Sequence, residues 1–506
     1  MTEWDHPTVL VVMDGYGISE KEEGNAIAAA ETPNVDKFSE KYPSCLVPAH
    51  GEHVGLLPGG LGGSEVGHMH IGSGKLVPQM PKLITESIRS GEFYDKDVLR
   101  KCFDHASSNN GRLHLMGLCS DKGIHSLLEH LYGVLEAADT QGFSDIVVHM
   151  FLDGRDTEPK VAKKYVEQLK EKLQDLPGEI GTVSGRYYGM DRDKRWDRTE
   201  KAYKAIVYGE GRSAESAFEA VEKAYDQGET DEFVKPTVIN GFKGVEDGDS
   251  VFVFNFRADR CIQMAKAFTE TGFSKFSSKS FENIFFSSMT RYSEDLVEYP
   301  VAFEKNLVEN TLGEVVSEKG GKCFRIAETE KKAHVTYFFS GRRESPFEGE
   351  SRKIFNSPKV DVYDKTPGMR AEDIKEKTLE VLKEGEHDLV VLNFANCDMV
   401  GHTGVFDAAV EAAETVDRCV GELQSFCKDS DYTLILTADH GNADEMIDED
   451  GEPLTAHTKN PVPFIICEDW DVEFHEEPEL YRIPPALLSL NGISYEGMVD
   501  PLFVKK

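Results

Sequence analysis

Eight short apolar runs recur along this chain, and the stretches between them carry helical period. The runs are TVLVVMD (8–14), RLHLMGL (112–118), DIVVHMFLD (145–153), SVFVFNF (250–256), NIFFSSM (283–289), DLVVLNF (388–394), YTLILTA (432–438) and VPFIICE (462–468). Near-continuous apolar character with many β-branched residues predicts strands buried on both faces, as in a parallel sheet. Between them, residues 159–176 set Ala162, Tyr165, Val166, Leu169 and Leu173 on one helical face. Residues 406–427 do the same with Val416, Val420, Leu423 and Cys427. This alternation predicts an α/β class. At 506 residues the chain exceeds what one core holds, so two or more domains are expected.

Several runs end in residues suited to a ligand site. Asp14 closes the first, Asp153 another just ahead of Arg155 and Asp156, Asn393 and Asp398 follow a third, and Asp439–His440 follow a fourth. In open α/β sheets ligands gather at the carboxyl ends of strands. Any one of these residues is equally a helix cap or a turn residue; four at corresponding ends point to chemistry. DMVGHTG holds Asp398 and His402 at i, i+4, and LTAHTKNPVP adds His457. Imidazole and carboxylate together suit Mn²⁺ or Zn²⁺, and a set of this size can fill two sites. Paired metals clamp the attacking and leaving oxygens of a phosphoryl displacement.

LLPGGLGGSEVGHMHIGSGK (56–75) crowds glycines around Ser64, just before a predicted helix. Glycines let backbone amides approach a phosphate, and a helix start favours an anion. A serine hydroxyl needs activation to attack, which a metal ligand role supplies by lowering its pKa. The bland alternative is a glycine turn with Ser64 as a helix cap. No Walker pattern is present.

The formal net charge is −35, which disfavours duplex nucleic acid and anionic membranes as partners. It suits either a self-repelling surface or one adapted to high salt. Against that background arginines sit beside strand ends: Arg155 in FLDGRDTEP, Arg186 and Arg192 in SGRYYGMDRDKR, and Arg257 and Arg260 in NFRADR. At i, i+3 the last two can share a helix face. His125 in SDKGIHS and Lys331 in AETEKKAH join them. Guanidinium forks match carboxylate and phosphate, so a small anionic substrate is expected. Nine scattered cysteines without a C-x-x-C pair exclude a disulfide framework or a cysteine zinc site. The polar, acidic start MTEWDHPTVL lacks signal-peptide character, and no run of eighteen apolar residues exists, so a cytoplasmic location is expected.

The motifs VVMDGYG, GGSEVGHMHIG, SDKGIHS, FLDGRDT, SGRYYGMDRDKRW, NFRADR, RIAETEK, NFANCDMVGHTG, TADHGNAD and AHTKNPVP, in this order, resemble those of the cofactor-independent phosphoglycerate mutases of the alkaline phosphatase superfamily. The resemblance implies an alkaline-phosphatase-like three-layer domain from residues 1–78 and 306–506, with an inserted α/β transferase domain over 79–305. It implies one metal on Asp398, His402 and His457, and another on Asp14, Ser64, Asp439 and His440. Mn²⁺ is the expected ion, with Mg²⁺, Co²⁺ or Zn²⁺ as alternatives, and 2,3-bisphosphoglycerate is not required. Substrate contacts would come from His125, Arg155, Asp156, Arg186, Arg192, Arg257, Arg260 and Lys331. The implied reaction interconverts 3- and 2-phosphoglycerate in glycolysis and gluconeogenesis through phosphoserine at Ser64. Lys331 would offset charge and His125 would manage a hydroxyl proton. A monomer is expected. A metal-dependent phosphatase, or a mutase for another phosphate ester, is the alternative, and a non-catalytic metal-binding protein would leave Ser64 without a use. Gly63 and His70 depart from the family pattern, where asparagine is common.

Overall fold

The computed structural model describes Trp4 and residues 6–305, 307–448 and 451–506. The chain forms two compact units, Met1–Gln79 with Asn306–Lys506, and Met80–Lys305. Each is built on its own large mixed sheet with helices, so the class is α/β.

In the first unit seven strands lie in the order Glu350–Phe355, Cys323–Glu328, Leu389–Phe394, Thr8–Met13, Thr433–Thr437, Val462–Ile466, Ser44–Val47. Thr8–Met13 is central and pairs in parallel with Leu389–Phe394 and Thr433–Thr437. Every residue of these three strands is buried, so both sheet faces are covered. The helix Phe406–Cys427 buries Ala409, Ala412, Val416, Val420 and Leu423, the face its period predicts. Truncating a buried side chain such as Leu10 to alanine would cost about 2–5 kcal/mol.

One edge departs from the expected parallel sheet. Val462–Ile466 runs antiparallel to Thr433–Thr437, and Ser44–Val47 antiparallel to Val462–Ile466. Among the described residues of the connection 438–461 there is no crossover helix, and without one the chain re-enters the sheet in the opposite direction.

The second unit holds eight strands in the order Val301–Phe303, Phe285–Thr290, Ser250–Val253, Leu113–Leu118, Ile146–Leu152, Glu179–Gly185, Thr237–Ile239, Arg212–Ala214. Pairing is parallel except between Glu179–Gly185 and Thr237–Ile239. The run SVFVFNF stays in the sheet only to Val253 and then opens into a loop. Arg257 and Arg260 sit in that loop, ahead of the helix Ile262–Thr269, and not on a helix face. Glu179–Gly185 carries little apolar signal and is fixed by its ladder to Ile146–Leu152.

A polar chain threads this second sheet. Asp249 Oδ2 accepts from His114 Nε2 at 3.0 Å, His114 Nδ1 accepts from His149 Nε2 at 3.0 Å, and His149 Nδ1 accepts from Thr182 Oγ1 at 2.9 Å. A carboxylate only accepts, so the direction of each bond along the chain follows from Asp249. Burial, with His114 beside it, holds His149 well below the usual histidine pKa.

All nine cysteines are unpaired. Among the described residues no helix is long and apolar enough to cross a membrane.

Candidate active site

The first unit gathers its chemistry where the central strands end. Asp14 follows Thr8–Met13, and Asp439 and His440 follow Thr433–Thr437 by two and three residues. Asp398 lies in the short helix Asn396–Gly401, with His402 as its C-cap. Ser64 is the first residue of the helix Ser64–Ser73, whose N-cap is Gly63. Ser64 is thus not the cap, and its hydroxyl is free to face the strand ends. The helix lies close against the loop after Thr433–Thr437, because a Cβ at Gly67 would stand 2.4 Å from the Asp439 carbonyl oxygen. Gly15 makes the turn after the first strand at φ +76, in the left-handed region that glycine tolerates.

Two groups of ligand-type atoms result. Asp398 Oδ1 stands 3.2 Å from both His402 Nε2 and His457 Nε2, which are 3.1 Å apart. Ser64 Oγ stands 3.0 Å from Asp14 Oδ1 and 3.0 Å from His440 Nε2. His440 Nε2 is also 3.4 Å from Asp14 Oδ1 and 3.6 Å from Asp439 Oδ2. Lys331 Nζ, in the 3₁₀ turn Thr329–Lys331, donates to Asp14 Oδ1 at 2.6 Å, Ser64 Oγ at 2.7 Å and Asp398 Oδ2 at 2.5 Å.

The histidine tautomers decide what this cluster can hold. His402 Nδ1 donates to the Thr455 carbonyl at 2.7 Å, His440 Nδ1 to Gly441 at 3.1 Å, and His457 Nδ1 to Gly62 at 2.7 Å. Each bond places the proton of the neutral ring on Nδ1 and leaves the Nε2 lone pair facing the cluster, the orientation that ligating histidines need. An ion with ligands at about 2.1 Å in tetrahedral array has ligand atoms about 3.4 Å apart, close to the spacings here. The residues fit two divalent cations.

The field is strongly negative. Burial opposes ionisation of Asp14, yet Lys331 and His440 hold its carboxyl far below the usual range. Burial likewise opposes the charge on Asp398, which Lys331 and the hydrogen bonds of His402 and His457 keep ionised. With no ion bound, burial works against protonation of His440, but Asp439, Asp14 and Asp398 push its pKa up to about 10. A cavity of about 430 Å³ opens here, lined by Gly63, Ser64, Glu65, Lys331, His334 and His457 among others.

Two buried residues complete the frame: Asn393, already marked in the sequence at a strand end, and His68, without an assigned role there. Asn393 Nδ2 donates to Asp14 Oδ2 at 2.7 Å and lies 3.0 Å from His68 Nε2. His68 Nδ1 donates to the Ser64 carbonyl at 2.9 Å, with Asp439 Oδ2 alongside at 3.1 Å. Asn393 thereby holds the Asp14 oxygen that Ser64 does not contact. The signal for His68 was its place one turn after Ser64, on the same helix face. Asn393 ends the strand beside Asp14, paired with Val12. His70 faces elsewhere: its Nε2 accepts from the Val77 amide at 3.0 Å, and burial lowers its pKa to about 4.

The second unit has its own centre. Arg186, 2% exposed, donates through Nη1 to Asp153 Oδ1 and Asp156 Oδ2, both at 2.5 Å, and through Nη2 to His125 Nε2 at 2.9 Å. A guanidinium only donates, so the His125 proton lies on Nδ1 and its lone pair is taken. Burial and then the nearby Arg186 and Arg257 lower the His125 pKa to about 4. Arg192 donates to Asp259 Oδ2 at 2.8 Å, and Arg260 to the Met190 carbonyl at 3.2 Å. Arg155, Arg192 and Arg257 are about half exposed, with side-chain values of 56%, 45% and 49%, so their forks can turn to a solute. Asp153, marked in the sequence as a strand-end residue, belongs to this centre, and so does Asp259, where the motif drew attention only to its basic neighbours.

Comparison with known proteins places the chain. Residues 84–294 match the family profile described as BPG-independent PGAM N-terminus, and residues 313–472 match Type I phosphodiesterase / nucleotide pyrophosphatase. A 2,3-bisphosphoglycerate-independent phosphoglycerate mutase of Acetivibrio thermocellus is 47% identical over 495 residues, covering 96% of this chain and 97% of its own. One from Staphylococcus epidermidis is 46% identical, covering 96% of each. The crystal structure of Leishmania mexicana phosphoglycerate mutase, determined at low cobalt concentration, superposes with a TM-score of 0.70 at 31% identity, covering 99% of this chain and 98% of its own. Near-full-length identity at this level settles the family: the chain belongs to the 2,3-bisphosphoglycerate-independent phosphoglycerate mutases.

Proposed function

We propose that this enzyme interconverts 3-phosphoglycerate and 2-phosphoglycerate through a phosphoserine at Ser64, with two divalent cations in the first unit. The observation that carries the reading is the position of Ser64 Oγ, within 3.0 Å of Asp14, His440 and Lys331 at the start of a helix. Asp398, His402 and His457 would hold one ion, and Asp14, Ser64, Asp439 and His440 the other. When bound, the ions supply positive charge for the transferring oxygens and lower the pKa of the serine hydroxyl.

The chain's own groups do the rest. Ser64 Oγ attacks phosphorus in line: its hydroxyl proton leaves as the O–P bond to serine forms, and the glycerate oxygen released when the substrate ester bond breaks takes up a proton. The phosphoryl group then returns to the other hydroxyl of the glycerate. Lys331 Nζ, already a donor to Ser64 Oγ, neutralises charge on the phosphoryl oxygens. The orphan amides at the start of the helix Ser64–Ser73 add donors for the same group. Arg155, Arg192, Arg257 and Arg260 suit the glycerate carboxylate. His125 serves as an Nδ1–H donor, because Arg186 occupies its other nitrogen.

An enolase-coupled assay of the Mn²⁺-loaded enzyme without 2,3-bisphosphoglycerate tests this reading. Formation of 2-phosphoglycerate, abolished in Ser64→Ala, is expected. Phosphate release without isomerisation would instead make the enzyme a phosphatase, and substantial turnover by Ser64→Ala would refute the covalent route.

A further inference from the structure

In the loop after Ser250–Val253, one acidic residue lies between the two arginines of NFRADR. Asp259 immediately precedes the turn into the helix Ile262–Thr269, a position where a carboxylate ordinarily serves the helix amides. Here it serves side chains instead. Its Oδ2 accepts from Arg192 Nη1 at 2.8 Å, and its Oδ1 stands 3.3 Å from Arg257 Nε. The same Oδ1 faces His125 Nδ1 at 3.8 Å, and both atoms are buried without a hydrogen-bond partner. Backbone contacts tie the loops together, since the His125 carbonyl accepts from the amides of Phe256 at 2.9 Å and Arg257 at 3.3 Å.

This carboxylate therefore joins the half-exposed arms of the centre to its buried anchor. Arg192 and Arg257 come from separate loops, carry like charge and have long flexible stems. Without a shared acceptor they would repel each other and spread into solvent, and ordering them would fall on the incoming substrate. Burial opposes the charge on Asp259, yet Arg192, Arg257 and His125 lower its pKa, so it stays ionised.

We infer that Asp259 is a positioning residue: it aligns Arg192 and Arg257 as a preformed cradle for the substrate carboxylate and orients the Nδ1–H of His125. The inference rests on the assignment of this centre to phosphoglycerate binding. A carboxylate that only competed with the substrate anion would change KM in the opposite direction, so the sign of the effect tests the inference.

Steady-state kinetics of Asp259→Asn and Asp259→Glu in the metal-loaded enzyme decide between them. Asp259→Asn is expected to raise KM for phosphoglycerate at least about tenfold, the loss when a charge-assisted hydrogen bond no longer aligns a binding group. Its kcat should stay within about threefold of wild type, since Ser64 is untouched. Asp259→Glu should recover part of the KM. An unchanged or lower KM in Asp259→Asn overturns the inference, and so does a loss confined to kcat. A melting temperature near wild type shows that the variant is folded. A readout free of turnover comes from ¹⁵N NMR of histidine-labelled protein, with His125 assigned by its loss in His125→Gln. At pH 7 the ring should be neutral and protonated on Nδ1; an Nε2–H tautomer or an imidazolium overturns the geometry. A wild-type enzyme that forms no 2-phosphoglycerate would fail the assignment of substrate, whereas a wild-type level of KM in Asp259→Asn fails Asp259 alone.

Discussion

The two centres solve opposite problems with charge. In the first unit, carboxylates crowd together and Lys331 is the cation seated among them. Its histidines are pinned by backbone carbonyls, so the ligand atoms hardly depend on a solute to be in place. In the second unit, arginines crowd together, and Asp153, Asp156 and Asp259 offset their mutual repulsion. There Arg186, His125 and Asp153 are buried, while three guanidiniums reach toward solvent. A cage for small ions has to be rigid before they arrive. A clamp for an organic acid has to let it enter and turn.

The sharpest way to break the comparison is to remove the cation from the cage. Lys331→Met leaves Asp14 and Asp398 buried without their partner, at a cost of about 3–5 kcal/mol. That loss should appear in urea unfolding with a chelator and shrink when Mn²⁺ is added, because the ions replace the missing charge. An equal loss under both conditions would mean that the ions do not occupy this cage.

The clamp should split into anchor and arms. Arg186→Leu strands the buried Asp153 and the half-buried Asp156 and is expected to cost about 3 kcal/mol of stability together with activity. Arg257→Ala, at an exposed position, should change stability by less than about 0.5 kcal/mol while raising KM. A comparable melting-temperature drop in both would erase the distinction.

Gly67→Ala tests the rigidity of the cage. Its Cβ would press on the Asp439 carbonyl and push the Ser64 helix outward, overpacking that costs about 1–3 kcal/mol. Weaker metal binding by calorimetry is the expected result, and wild-type affinity would show that the cage tolerates a shift.

The smallest effect belongs to the His114–His149 chain. The folded pKa of His149 lies below the unfolded value of 6.5, so its contribution to stability is present above pH 6.5 and is lost as pH falls below it. The slope should approach about 1.4 kcal/mol per pH unit for this proton. His149→Gln should flatten the melting profile between pH 6.5 and 5.5; an unchanged slope would assign it to other groups.

How much of this was readable in the sequence follows from what each residue does. All eight apolar runs contain strands, because continuous burial leaves a continuous apolar record. Glu179–Gly185 escaped, being specified by pairing to a neighbour rather than by its own side chains. The antiparallel edge escaped because direction depends on a connection, not on strand composition. At the sites, Asp14, Asp398, His440 and His457 stood out by residue type at strand ends. His68, Asn393 and Asp259 act through hydrogen bonds to other site residues, and nothing in their type announces the bond. The shared helix face of Arg257 and Arg260 was an inference from spacing alone, and the loop has no helical period to support it.

The central position of Thr8–Met13 carries a consequence for how the protein is made. Its two neighbours in the sheet are Leu389–Phe394 and Thr433–Thr437, so the first strand leaves the ribosome long before either partner exists. At about 5–20 residues per second the wait is roughly 20–80 seconds. Throughout it, TVLVVM is an apolar segment with both hydrogen-bonding edges open, and all the residues of the second unit are added before either partner appears. Holding that one strand out of wrong pairings is the task a nascent-chain chaperone would face with this protein, and Asp14 cannot take its place until nearly the whole chain has been translated.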